Sequence, residues 1–159
     1  MSESVSFYSH ELDPTIGQRL IGAMKEPDDA KQIQLLQAVV EAYPATLDGH
    51  ICLIKALFKA QRLDEAEQAA QRALAEAAGQ GRFSHNPADH TPADQQWLVV
   101  GSAQRLYLFC LKALGVVNMR QQKLVEAEAL LSKLLELDPH DEIGGASYLQ
   151  LVQSAQQAT

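Results

Sequence analysis

The chain has 159 residues, 47% of them hydrophobic, and a net charge of −7 from 13 Lys/Arg against 20 Asp/Glu. That length suits one domain, and the acidic balance argues against nucleic-acid binding, which rests on basic side chains neutralising phosphates. The longest apolar stretch, 97–117, is interrupted by Gln104, Arg105 and Lys112 and does not read as a membrane span.

The first residues, Met1-Ser2-Glu3-Ser4-Val5-Ser6, are polar and include an acid, so they do not read as a secretory signal. Cys52 and Cys110 both fall in apolar helical stretches and read as structural thiols. A cytoplasmic location is the expectation. Residues 1–11 lack periodicity and form a lead-in, with Phe7-Tyr8 expected against the first helix and His10 exposed.

Asp13-Pro14 then supplies an N-cap with proline at the first helical position. Ile16, Leu20, Ile21 and Met24 follow at helical spacing, and Pro27 ends that helix. Asp28 or Asp29 caps the next, which carries Ile33, Leu36 and Val40 and closes at Tyr43-Pro44. Thr46 caps a third helix to about residue 60; residues 63–77 form its partner, and Gly79-Gln80-Gly81 is expected to stop it. Residues 82–91, with Gly, Ser, Asn, Pro and Asp in or beside them, read as a loop. Thr91-Pro92-Ala93-Asp94 has the capping Thr, the proline and the acid of a helix start. From there a single helix of about 25 residues is expected, with Gly101-Ser102 as its one place to kink. A helix over 123–137, a turn at Asp138-Pro139 and a last helix at about 142–157 complete the chain.

One stretch recurs. Gln61-Arg62-Leu63-Asp64-Glu65-Ala66-Glu67-Gln68-Ala69-Ala70 has an echo in Gln122-Lys123-Leu124-Val125-Glu126-Ala127-Glu128-Ala129-Leu130-Leu131. A small structural unit has been used twice, and such a repeat decides the architecture before local propensity does. Leu114-Gly115, Ala127, Leu131 and Leu137-Asp138-Pro139 fall on the pattern L-G, A-x3-F and P; the earlier copy has Ile54 and Ala78 in place of the Gly and Pro. On these residues the chain resembles the tetratricopeptide-repeat (TPR) family.

The resemblance implies an all-α, right-handed solenoid of helix hairpins, a single TPR-like domain over 1–159. It would comprise a degenerate repeat at 12–44, lacking the family's small residue where Gln32 stands, and repeats at 47–80 and 108–141. An inserted loop and helix extension at 81–107 and a capping helix at 142–157 account for the rest.

In that family the first helix of each hairpin lines a concave groove. The matching positions here are Asp48, Ile51, Lys55, Phe58 and Lys59 in one unit and Phe109, Lys112, Val116, Met119 and Arg120 in the other. Four basic residues therefore converge beside two phenylalanines and a methionine in an acidic chain. The partner implied is a protein with an acidic, amphipathic segment. The family's carboxylate clamp uses Asn where this chain has Lys55 and Val116, so that version is disfavoured. Lysine stems and aromatics that merely complete packing are the plainer alternative.

Other chemistry is thin. His85-Asn86-Pro87-Ala88-Asp89-His90, with Asp94 beyond, is a conceivable ligand group for zinc or nickel, but its spacing matches no metal signature. His50 reads as a packing residue and His140 as exposed. No phosphate loop, nucleophile elbow or Cys–His pairing is visible, so neither an enzyme nor a cofactor is expected. Asp64, Glu65, Glu67, Glu126, Glu128 and Glu136 read as a solvated outer face.

The resemblance thus implies a non-catalytic adaptor or assembly factor docking on a larger bacterial complex. A metalloenzyme such as nitrogenase is one candidate host, although no residue motif demands it. A secretion chaperone, whose repeats would however be contiguous, and a metal-dependent enzyme built on the His85/His90 loop are the alternatives.

Overall fold

Proline at the first helical position and an aspartate before it start the first helix, as the computed structural model shows for a chain described at Tyr8 and residues 12–158. Asp13 accepts from the Thr15 N–H at 2.8 Å, and α1 runs Pro14–Met24. Asp28 caps α2, Asp29–Ala42, by accepting from the Lys31 N–H at 2.9 Å. Then come α3, Leu47–Lys59, and α4, Leu63–Gly81, with a 3-10 turn at Pro87–Asp89. α5, Ala103–Arg120, α6, Leu124–Leu137, and α7, Ala146–Gln157, follow. Among the described residues the fold is all-α, with seven α-helices and no strand.

Each helix packs on the next in sequence, and α3 also meets α5 and α1. The reason lies in side-chain size. α4 presents Ala66, Ala69, Ala70, Ala73, Ala77 and Ala78 as buried residues, so its neighbours approach closely. One continuous core runs from Leu20 on α1 to Val152 on α7.

The repeated stretch is repeated in backbone. Gln61 and Gln122 both adopt left-handed conformations, φ 60° and 64°. At each turn the residue three beyond the helix reaches back to a carbonyl of its last turn: Arg62 N–H to Leu57 O and Lys123 N–H to Asn118 O, both 2.9 Å. This is the Schellman ending, which satisfies carbonyls the helix would leave unpaired. Ala66 and Ala127 are both fully buried. Gln32, at the place expected to hold a small residue, is buried and donates to the Ala23 and Met24 carbonyls at 3.2 Å, so its amide closes the end of α1.

Three expectations are corrected. α4 does not end at 77 but continues through the Gly79-Gln80-Gly81 run to Gly81. It ends there because Arg82 turns left-handed at φ 60° and Phe83 N–H reaches the Ala78 carbonyl at 3.0 Å.

Residues 91–102 are not helical, so the single helix expected from Thr91 is absent and α5 begins at Ala103. Gly101 sits at φ +79°, outside helical space, and the Ser102 hydroxyl caps α5 through the Arg105 N–H at 3.1 Å. The helix-start residues are diverted to other bonds: Asp94 pairs with His90, and the Thr91 carbonyl accepts from the Trp97 indole at 3.0 Å.

The last helix starts at Ala146 rather than 142. Buried Asp138 takes the N–H groups of Glu142 and Ile143 at 3.0 and 2.8 Å, holding 142–145 in a turn with Gly144 at φ +92°.

Candidate functional site

The positions 51, 55 and 58 lie one helical turn apart on α3, and 109, 112 and 116 do so on α5, so each helix offers one stripe. α3 and α5 touch, and the stripes meet in a cavity of about 270 Å³. Six of the ten groove positions read from the sequence line it: Ile51, Lys55, Phe58, Phe109, Lys112 and Val116. Ile54, Ala113 and Val117 complete its floor, with Tyr8 and Tyr148 brought in from the two ends of the chain.

The remaining four are placed differently. Arg120 is at the rim, its guanidinium 5.3 Å from the centre of the Phe58 ring. Lys59 turns toward α2, where it pairs with Asp29 at 3.3 Å and donates to Gln32 at 3.1 Å. Met119 packs half-buried against the core. Asp48 is fully buried beneath the groove, and its Oδ1 accepts from the Tyr8 N–H at 2.7 Å.

Two ammonium groups dominate the electrostatics. Lys112 donates to the Ile143 carbonyl at 3.0 Å and lies 5.6 Å from the Tyr148 ring centre. Burial, and then the neighbouring Lys55 charge, pull its pKa below the ordinary lysine value. Lys55 is exposed and donates to the Tyr8 phenol oxygen. An anion between the two would offset their mutual repulsion.

The histidine loop has another role. His90 is buried, with Nδ1 2.8 Å from Asp94 and Nε2 2.6 Å from the Ser84 carbonyl. Its ring packs edge-on against Trp97 at 4.8 Å and Phe83 at 5.3 Å, while Tyr107 adds a third face and donates to the His85 carbonyl at 2.9 Å. Both nitrogens are thus engaged, and His85 is exposed. Among the described residues no three His, Cys, Asp or Glu gather as metal ligands would. His50 packs as expected, 2.8 Å from the Pro44 carbonyl, and His140 is exposed; His10 and Phe7 lie outside the described residues.

The acids of α4 and α6 are not uniformly solvated. Asp64 and Glu67 accept from Gln121 at 3.0 Å, and Lys123 bonds Glu67 at 2.9 Å, so the second turn is clasped to the first hairpin. The Lys123 bond holds the Glu67 carboxyl below its ordinary pKa.

Sequence reasoning missed Tyr8 and Tyr148 as groove residues. Ala113 and Val117 were recoverable, since they continue the Phe109 stripe at four-residue steps. No local signal marks the two tyrosines, which reach the groove only through tertiary packing. Tyr8 in particular is held by α3 and α5 rather than by α1.

Compared with family models, curated proteins and solved structures, the chain matches none of them.

Proposed function

We propose that the chain is a non-catalytic binding module, a stack of tetratricopeptide-like helix hairpins that docks a segment of a larger protein in the groove between α3 and α5. The observation that carries this reading is the pairing of Lys55 with Lys112 beside Phe58 and Phe109 in a chain whose net charge is −7. A cationic, aromatic-walled cavity on an acidic protein selects an acidic segment with apolar side chains. The duplicated turns at Gln61 and Gln122 and the sequential packing of helices support the repeat architecture. An assembly or accessory factor serving a larger complex is the role such a module fills.

The test is affinity capture from the native cell with two paired variants. Lys55→Glu with Lys112→Glu should abolish recovery of the partner and leave helical content unchanged. Glu65→Lys with Glu126→Lys, on α4 and α6, should retain it. The opposite pattern would move the interface off the groove and end this reading.

A further inference from the structure

Tyr8 is 40 residues from the α3 carboxylate that holds its backbone, yet it is anchored in three ways. Its N–H donates to Asp48 Oδ1 at 2.7 Å. Its ring meets Phe109 edge to face, centres 4.9 Å apart at 63°. Its hydroxyl accepts from the Lys55 ammonium. A backbone bond to the scaffold, an aromatic side chain in the cavity and a polar tip on a cation are how grooves hold extended peptides.

The sequence around Tyr8 has the matching chemistry. Residues 1–12 contain Glu3 and Glu11, the apolar Val5, Phe7 and Leu12, and no Lys or Arg. Their charge complements Lys55 and Lys112. Tyr8 also leaves room: the cavity of about 270 Å³ extends past it along Phe58, Ala113, Val116 and Tyr148. A ligand with one more apolar side chain would fill that room and bury what Tyr8 leaves open.

We infer that the groove recognises an extended segment bearing a tyrosine near acidic residues, and that Tyr8 occupies it in cis as a competing copy of that ligand. This rests on the groove reading above and specifies its ligand. A short tether gives the cis segment an effective concentration on the order of millimolar. An outside ligand therefore binds only the fraction of molecules whose groove is vacated, and its apparent affinity falls by that fraction. The partner prevails by filling the room beyond Tyr8 and by placing an acid between Lys55 and Lys112.

The probe is a fluorescently labelled peptide of residues 1–12, titrated by anisotropy into the full native chain, Tyr8→Ala, Tyr8→Phe and Tyr8→Ala/Lys55→Glu. Tyr8→Ala should bind the peptide about ten-fold or more tightly than the native chain does, since its groove is vacated. Tyr8→Phe, which keeps the ring and loses the Lys55 bond, should fall between them. Adding Lys55→Glu should remove binding, as should replacing the tyrosine of the peptide by alanine. Far-ultraviolet circular dichroism checks that each variant keeps its helices. Equal affinity for native chain and Tyr8→Ala overturns the cis competition. Absence of binding to Tyr8→Ala overturns the tyrosine ligand as well. Either failure leaves the groove reading standing if native capture still depends on Lys55 and Lys112, so the two claims are separable.

Discussion

The α3–α4 and α5–α6 hairpins share a turn almost angle for angle, yet they fill the space behind it in opposite ways. Arg62 and Lys123, the residues after the left-handed glutamines, have φ and ψ of −87°, 69° and −86°, 71°. In the second hairpin Gly115 lies under Leu131: a methyl added to the glycine would come within 2.8 Å of the Leu131 side chain. The first hairpin has Ile54 and Ala70 at the equivalent places, both buried. Large and small have changed sides. What the two copies hold in common is a backbone turn and a large side chain set against a small one, with total volumes one methyl group apart; the identity of either side chain is free provided its opposite number compensates.

The sharpest way to break this comparison is to disturb one member of the second pair. Leu131→Ala should cost about 2–5 kcal/mol, since Leu131 is fully buried against Gly115 and the space would not close. Gly115→Ile alone should cost about 1–3 kcal/mol by overpacking. The double variant, which installs the pair of the first hairpin, should cost less than the sum of the two. Urea unfolding of the three chains measures the coupling, and strict additivity would show that the sites do not compensate.

Ala66 and Ala127 extend the comparison to positions that did not diverge. Both are fully buried, so enlarging either to leucine should lower stability by about 1–3 kcal/mol, and by similar amounts in the two hairpins. An unchanged urea midpoint for Ala127→Leu would contradict the close approach of helices there.

A smaller and opposite effect is expected at the turns. Gln61 and Gln122 are held at positive φ, where a side chain is disfavoured by about 1 kcal/mol. Glycine at either should raise the thermal midpoint, and equally so if the turns are energetically as well as geometrically alike.

The effect expected to vanish at neutral pH concerns the thiols. Burial pushes Cys52 to about 11 and Cys110 to about 12 from an ordinary value of 9.0. For an acid whose folded pKa is raised, the native state binds the proton more tightly, so stability is intact below about pH 9. It is lost as pH rises through 11 and 12. Replacing both cysteines by alanine should flatten that alkaline decline in a denaturant series. In the native chain a thiol reagent at pH 9 should reach the slightly exposed Cys52 before Cys110.

How much of this was legible follows from the range of the forces involved. Asp13-Pro14 and Asp28 cap the helices they precede because capping is local. The groove stripes were readable because helical spacing places 51, 55 and 58, or 109, 112 and 116, side by side. Residues 91–102 misled for the same reason. Thr91-Pro92-Ala93-Asp94 carries a helix-start signal, but the Trp97 indole, His90 and Arg105, which donates to the Leu98 carbonyl at 3.2 Å, supply non-helical partners to that stretch. Burial of one tryptophan with two tyrosine- and phenylalanine-sized neighbours outweighs a propensity of tenths of a kcal/mol per residue. Tyr8 was illegible altogether, because nothing near it in sequence names Asp48, Lys55 or Phe109 as its neighbours.

Trp97 is the only tryptophan in the chain, and it sits wholly inside the knot of Phe83, His90 and Tyr107. Its emission therefore reports on segment 82–102 and its seat on Tyr107 of α5, while ellipticity at 222 nm is dominated by the seven helices of the described residues. The chain carries its own two-channel optical readout. Coincident melting curves would mean that segment 82–102 and the hairpins come apart as one cooperative unit. An emission red-shift that precedes the loss of ellipticity would mean that segment 82–102 lets go first, with the hairpins still standing.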